Sequence, residues 1–349
     1  MTHTVAVIGT GIFATQKHLP AIAKNKDLEI TGCFNRTSAK AEAFAKEAEK
    51  AGAKSLTIYS SIDELLADPN VDSVDALLPV DQNLSIVKKA IAAGKPISFE
   101  KPIAASLEDG AEIVKLAEST PVPVLVLENW CYHHGVKRLK EELPKIGKVT
   151  HFTFQASGPF RLSQYHGTAW RQHPKHIGGF LSDAGVHDLG LLTEVLGPIA
   201  SISARTTQVR EASGTVDTLS SLFSMEDNGV FGTYTQSRYS GPCESVLNLQ
   251  IFGTDGSLVY DRPSPAGGKL TVYTKSDAGE STHTTEQLPE DELNGVVDEF
   301  INWAEVLDKK DKSLIVATPR KAFHHYAAIA AAVKSGELKG QPVEVQKLK

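Results

Sequence analysis

Over its first 127 residues the chain alternates short apolar runs with stretches of helical periodicity, a pattern that few folds accept. TVAVIG, LEITGCF, LTIY, VDALL, PISFE and VPVLVL read as strands. IFATQKHLPAIAKN, SAKAEAFAKEAEKAG, IDELLAD, NLSIVKKAIAAG and SLEDGAEIVKLAEST, lying between them, read as helices. Strands apolar on both sides, each followed by a helix, specify a parallel, doubly wound sheet. AAGKP is a helix stop, with Gly94 ending the helix and Pro96 opening the next strand.

After about Leu127 the pattern changes. One helix, HHGVKRLKEELPKI, leads into β-rich stretches: KVTHFTFQAS, IASISARTTQV, TLSSLFSME, GVFGTYTQS, SVLNLQIFG, GSLVYD and KLTVYT. EDNGVF carries an Asn-Gly pair at a hairpin turn. Strands that follow one another without helices predict an antiparallel sheet. The helix GGFLSDAGVHDLGLLTEVLG can cover one face of it, and DELNGVVDEFINWAEVLDKK and TPRKAFHHYAAIAAAVKSGE close the chain as helices. The expected fold class is α/β: a Rossmann-type domain over residues 1–127, then an α+β domain over 128–349 with an open-faced, largely antiparallel sheet. A chain of 349 residues suits two domains.

Composition narrows the function. The net charge of −6 carries no basic footprint for nucleic acid. No apolar run reaches the roughly 20 residues that span a bilayer. Cys33, Cys131 and Cys243 form no CxxC, and MTHTVAVIG enters a strand without the basic start of a signal peptide. The expectation is a reduced, cytoplasmic protein with neither nucleic-acid nor membrane partners.

VAVIGTGIFA places Gly9-x-Gly11-x-x-Ala14 between the first strand and the first helix. Gly9 permits the tight turn, Gly11 lets backbone approach a pyrophosphate, and Ala14 allows close helix–strand packing. The start of the helix, with Ile12 and Phe13, would carry the phosphates. About 20 residues on, where a carboxylate usually meets the adenosine ribose, the chain has Asn35, Arg36, Thr37 and Ser38. An acid there would repel a 2′-phosphate. Arg36 can pair with one, and the hydroxyls of Thr37 and Ser38 add donors, so the stretch favours NADP(H) over NAD. A solvated Arg beside an N-cap is the alternative.

SFEKPIA sets Glu100-Lys101-Pro102 at the C-terminal end of a sheet strand, the edge where open α/β sheets bind ligands. A lysine there can hold a substrate oxygen and stabilise developing charge, although a lone lysine at a strand end is more often a surface residue. The peptide bond before Pro102 can be cis or trans. In GGFLSDAGVHDLG, Asp183 and His187 are four residues apart and share a helix face. His187 can exchange a proton with an alcohol or carbonyl, and Asp183 can orient it. The other reading makes Asp183 a helix cap and His187 a core residue. His166, His173 and His176 lie close by in sequence, but Pro174 separates the last two and no cysteine is near, so no metal is expected. His324 and His325 read as capping or packing residues.

Together these motifs resemble the glucose–fructose oxidoreductase/inositol dehydrogenase (Gfo/Idh/MocA) family. GTGIFATQKHLPAI is similar to its first turn and helix, and DALLPVDQNLSIVKKAIAAGKPISFEKPIA to the block ending in EKP. ENWCYHHGVKRLKEEL is similar to its domain-joining helix, and WRQHPKHIGGFLSDAGVHDL to its WR…GG…D…GxH signature. The wording is most similar to a fungal, NADP-using branch.

The resemblance implies that Lys101 lies near nicotinamide and substrate and that Asp183 and His187 form the catalytic pair. It also implies that Leu78, Pro79, Asn83, Glu100, Asn129, Trp170 and Arg171 line the cofactor, and that the second sheet buries its bare face in a homodimer. Two positions depart from the family pattern: Asn83 stands where a histidine is usual, and Leu127-Glu128 where a glycine and an aromatic are usual. The substrate therefore stays open among sugars, polyols, aldehydes and ketones. The expected activity is NADP(H)-dependent hydride transfer at a carbonyl or hydroxyl carbon. The alternative is a non-catalytic, NADP-sensing regulator, the role this fold has in a yeast galactose repressor.

Overall fold

A computed structural model describes residues 2–54, 56–160, 169–226, 229–262, 267–276, 279–291 and 293–349, with the side chains of 169–170 outside the description. The chain divides into two compact units.

The first unit comprises Met1–Asn129 and Gly295–Phe323. Its parallel sheet has the order β3-β2-β1-β4-β5-β6, formed by β1 (His3–Ile8), β2 (Leu28–Phe34), β3 (Thr57–Ile58), β4 (Ser73–Ala76), β5 (Ile97–Glu100) and β6 (Val124–Leu127). Val5, Ala6, Val7 and Ile8 have no exposed surface, as a strand covered on both faces requires. β3, read as four residues in the sequence, is a two-residue exposed edge. Helices α1 (Leu19–Ala23), α2 (Ser38–Lys50), α3 (Ile62–Ala67), α4 (Asn83–Ala92) and α5 (Leu107–Ser119) follow the strands.

Local chemistry fixes their ends. The Ser61 and Ser106 hydroxyls cap α3 and α5, accepting from the N–H groups of Glu64 and Asp109. At AAGKP, Gly94 takes φ +66° and the Lys95 N–H bonds the Ala90 carbonyl, closing α4 as its sequence implies. The first helix departs from simple α geometry: Ala14–His18 is π-helical, with the Leu19 N–H reaching the Ala14 carbonyl. Pro20 follows directly, and its missing N–H and bulky ring disfavour regular α-bonding in the preceding turn.

One boundary differs from the sequence expectation. Residues 295–323 group with the first unit, not with the second. The cause is the apolar face of α9 (Val296–Lys309), where Phe300 and Trp303 are fully buried. The Phe300 carbonyl accepts from Asn25 Nδ2 at 3.1 Å, and its ring meets His18 edge-on at 5.2 Å. α9 also starts later than its pattern suggested, because Asn294 and Gly295 are both left-handed.

The second unit comprises Trp130–Asn294 and His324–Lys349. It contains α6 (His134–Glu142), α7 (Ala169–Gln172) and α8 (Phe180–Leu196). Its strands are β7 (Val149–Pro159), β8 (Ile199–Thr207), β9 (Thr218–Met225), β10 (Phe231–Ser240), β11 (Val246–Gly253), β12 (Gly256–Asp261), β13 (Lys269–Lys275), β14 (Ser281–Gln287) and β15 (Val343–Glu344). Their order is β14-β13-β12-β11-β7-β10-β9-β8-β15. All described pairs are antiparallel except β7–β10. The helical connection between β7 and β8 is long enough for the crossover that this parallel pair demands. Asp227 and Asn228 of the expected β9–β10 turn lie outside the described residues; the strands on either side do pair as a hairpin. β14 and β15 were not legible in the sequence: the residues of β14 are all exposed and polar, and β15 has only two residues.

On one sheet face Phe152, Phe223, Tyr234 and Leu249 are buried, and the Tyr234 hydroxyl donates to Asp188 of α8 at 2.7 Å. Paired positions put Leu222, Phe231, His151, Phe252 and Tyr273 together on the other face. His151 stacks on Phe252 with centroids 4.5 Å apart, and Leu222, Phe231 and Tyr273 are exposed. The final helix α10 is Pro319–Glu337. In it the His325 ring pairs with Thr193 Oγ1 at 2.6 Å, and His324 Nε2 accepts from the Ile199 N–H. Burial pulls the His324 pKa down to about 4. Both histidines pack or cap, as their sequence positions suggested.

Truncating Phe300 to alanine removes a fully buried ring from the first unit. Urea denaturation of Phe300→Ala is expected to show a loss of about 3–5 kcal/mol; a loss below about 1 kcal/mol would mean that α9 is not part of that core.

Candidate active site

β1 pairs with β2 on one side and β4 on the other, so the strand order reverses at β1 and a crevice opens beyond the carboxyl ends of these strands. Gly9 lies there at φ +96°, its N–H bonded to the Phe34 carbonyl. A Cβ on Gly9 would lie 2.3 Å from the Leu77 carbonyl oxygen, whereas one on Gly11 would meet no atom within 4 Å. Gly9 is therefore needed for the fold, and Gly11 leaves open backbone of the kind a pyrophosphate approaches. Ile12 is exposed, Phe13 half-buried and Ala14 fully buried. These residues fit a dinucleotide.

At the end of β2, Asn35 Oδ1 accepts from the Thr37 N–H at 2.9 Å, turning the chain into α2. Thr37 is the N-cap without a side-chain cap bond, and Arg36 and Ser38 are exposed beside it. Leu78 and Pro79 follow β4, half-buried and exposed respectively. The Lys101–Pro102 bond is cis, and Lys101 is half-buried. Asn83, one of the departures from the family pattern, is buried, and its Nδ2 donates to the carbonyls of Glu100, Pro102 and Ile103 at 3.0, 3.0 and 3.3 Å. It thereby staples the turn that carries Lys101. Asn129, after β6, is buried.

Beneath this edge lies a group that the sequence reading missed. His18, 1% exposed, approaches Asp75 Oδ2 through Nδ1 at 2.7 Å and Glu100 Oε1 through Nε2 at 3.0 Å. Asp75 is fully buried and also accepts from the Ser98 hydroxyl at 2.9 Å. Burial alone would favour the neutral ring. The Asp75 carboxylate, and then Glu100, reverse that and hold the His18 pKa up at about 10. Glu299 of α9 is buried, and neither of its oxygens has a hydrogen-bond partner among the described residues. Burial, reinforced by the negative charge of Glu100, pushes its carboxyl well above the usual carboxylate range, against the pull of His18. Three positions carried the signal: an aspartate inside the apolar strand VDALL, a histidine on the buried face of the first helix, and a glutamate on the buried face of α9.

In the second unit, Arg171 Nε donates to Asp183 Oδ2 at 2.9 Å, so the structure joins two of the expected residues as an ion pair. Asp183 lies in the first turn of α8, where Gly179 is the N-cap. His187, one turn on and half-buried, stacks on Trp130 with centroids 5.4 Å apart and planes 30° apart. The Arg262 guanidinium lies 5.6 Å from the same indole centroid. Trp130 was not read from sequence, nor was Tyr239, whose pKa is pushed up to about 12 by burial and by the charges of Asp217 and Asp183. Trp170 belongs to α7, but its side chain lies outside the described residues, as does His166. His173 is exposed, and the buried His176 uses Nε2 on the Gly179 carbonyl.

Comparison with known proteins gives two family matches. Residues 3–128 match the oxidoreductase family with an NAD-binding Rossmann fold, and residues 138–259 match the GFO/IDH/MocA C-terminal domain. The chain is 43% identical over 345 residues to the uncharacterized protein YMR315W of Saccharomyces cerevisiae, covering 98% of each chain. It is 29% identical over 312 residues to Dehydrogenase FPY6 of Fusarium mangiferae, covering 85% of this chain and 86% of the relative. A crystal structure of an oxidoreductase from Thermotoga maritima superposes with a TM-score of 0.84 at 31% identity, covering 99% of both chains.

The raised pKa of His18 makes its contribution to stability depend on pH. The contribution is fully present below the unfolded value of 6.5 and is lost as pH rises through about 10. His18→Asn breaks a buried ion pair and is expected to cost about 3–5 kcal/mol at pH 6. The gap from wild type should narrow progressively toward pH 10 in chemical denaturation. A gap constant from pH 6 to 10 would show that His18 is not held charged.

Proposed function

The chain belongs to the Gfo/Idh/MocA oxidoreductase family, and from that premise we propose that it is an NADP(H)-dependent enzyme acting on a small carbonyl or hydroxyl substrate. The observation that carries the cofactor choice is the end of β2. Asn35 spends its side-chain oxygen on the Thr37 N–H, no carboxylate stands beside it in the sequence, and Arg36 is exposed next to it. A guanidinium there suits a 2′-phosphate, which a carboxylate would repel.

When bound, the nicotinamide supplies or accepts the hydride. Lys101 holds and polarises the substrate oxygen, and His187 gives or takes the proton. Asp183, anchored by Arg171, supports the charged form of His187. Gly9, Gly11, Ile12 and Phe13 cradle the pyrophosphate. Leu78, Pro79, Asn83, Glu100, Asn129 and Trp170 shape the rest of the cofactor site. The substrate is a sugar, polyol, aldehyde or ketone. The exposed Leu222, Phe231 and Tyr273 on one sheet face support a homodimer through that face. Cys33, Cys131 and Cys243 form no disulfide among the described residues, in keeping with a cytoplasmic setting.

Fluorescence titration with NADPH and NADH tests the cofactor. Arg36→Ala should weaken NADPH binding by about tenfold or more, roughly 1.4 kcal/mol, and leave NADH binding unchanged. Equal affinities in the wild type would reject the NADP assignment. On a panel of carbonyl substrates, His187→Ala should lower kcat by about 10²-fold with cofactor binding kept. Wild-type turnover in that variant would remove His187 from the mechanism. A wild-type protein that binds NADPH and turns over nothing on the panel would favour the regulatory alternative.

A further inference from the structure

Of the His18 cluster only Glu100 has a part in the mechanism above, yet all its members sit at the roots of the segments that carry the cofactor loops. His18 ends the π-helical turn that follows the glycine loop, seven residues beyond Gly11. Asp75 lies in β4, directly before Ala76 and the Leu77-Leu78-Pro79 loop. Glu100 ends β5 and precedes Lys101. One imidazole thus binds the carboxylates of two neighbouring strands with its two nitrogens, at 2.7 and 3.0 Å. Asp75 and Ser98 face each other in the β4–β5 register and are joined by a hydrogen bond. Phe300 and Phe13 contact the His18 ring edge-on, each at 5.2 Å.

We propose that His18 is a positioning residue of the dinucleotide site, fixing the Glu100–Lys101 strand end and the β4 loop against the helix that follows the glycine loop. The charged imidazole carries one N–H on each of two separate nitrogens, one for each carboxylate, where the neutral ring has a single N–H, and buried ionic groups without a partner are costly. The cost is justified where backbone geometry must be held closely, as at a loop edge that receives a ligand. The titratable groups facing His18 are Asp75 from β4, Glu100 from β5 and Glu299 from α9, with Glu128 after β6 also acting on Glu299. Burial pushes the Glu299 carboxyl well above the usual carboxylate range, which disfavours a third negative charge beside Asp75 and Glu100. The end of β2, which carries Arg36, contributes nothing to the cluster. The adenosine side of a dinucleotide should therefore be insensitive to it, and the remainder sensitive.

Calorimetric titration of the full chain makes that distinction. The probes are NADPH and NADH as complete dinucleotides, and adenosine 2′,5′-bisphosphate and AMP as fragments confined to the adenosine side. His18→Gln is expected to raise the Kd of the preferred dinucleotide about tenfold or more while the fragments stay within about twofold. Glu299→Gln, a neutral group of the same shape, should keep dinucleotide affinity within about twofold of wild type. Should His18→Gln fail to fold, Glu100→Gln provides a second route, with a smaller loss of the same selectivity. The double variant should lose less than the sum of the two single losses, the mark of coupled residues. An unchanged dinucleotide Kd in His18→Gln would overturn the proposal. So would equal weakening of dinucleotide and fragments, or additive losses in the double variant. A wild-type protein that binds neither dinucleotide would overturn the cofactor site itself and this proposal with it.

Discussion

The dinucleotide unit depends on how closely backbone approaches backbone at Gly9. The Leu77 carbonyl occupies the space a side chain would need, and the φ of +96° would strain any other residue. That approach lets β1 end between β2 and β4 with its loop turned out at the reversal of strand order. From there the loops after β1, β2, β4 and β5 all open on one sheet edge. Each carries something a cofactor can use: bare backbone at Gly11, a guanidinium at Arg36, the turn at Leu78-Pro79 and an ammonium at Lys101.

Beneath that edge the sheet carries charge where apolar residues would be easier to bury. Asp75 interrupts β4, and His18 replaces what could have been another aliphatic residue on the first helix. An ion pair in such a place is weak evidence for stability, because desolvation offsets most of the attraction. Its directionality is what an apolar substitute lacks. Two nitrogens at fixed angles hold two strands at a defined spacing, and Asn83 does the same with its amide for the three carbonyls around Pro102. The second unit uses a comparable device: Arg171 holds Asp183, while Trp130 stacks on His187.

Much of this was legible before any coordinates. The glycine loop, the six parallel strands, the stop at Gly94, the hairpin of β9 and β10 and the run of strands after residue 148 follow from periodicity and turn chemistry. The polar edge strand β14 was not legible, because a strand stabilised by its neighbour's hydrogen bonds need not carry an apolar pattern. Nor was the return of residues 295–323 to the first unit: an amphipathic helix announces that it will bury a face, but not which surface it will bury it against. For His18 and Asp75, residue type at a buried position was visible, but the contacts of His18 with Asp75 and with Glu100, across 57 and 82 residues of chain, were not.

The sequence by itself determined the fold class, the nucleotide loop, the absence of an acid after β2 and the family, since these rest on local spacing and on the order of short motifs. The tertiary structure alone decided which charges meet. It paired His18 with Asp75 and Glu100, gave Arg171 to Asp183, set Asn83 beneath the Lys101 turn and laid Trp130 on His187. The physical reason is that hydrogen bonds and ion pairs depend on distances of a few ångströms between segments far apart along the chain, and only the packed strands and helices set those distances.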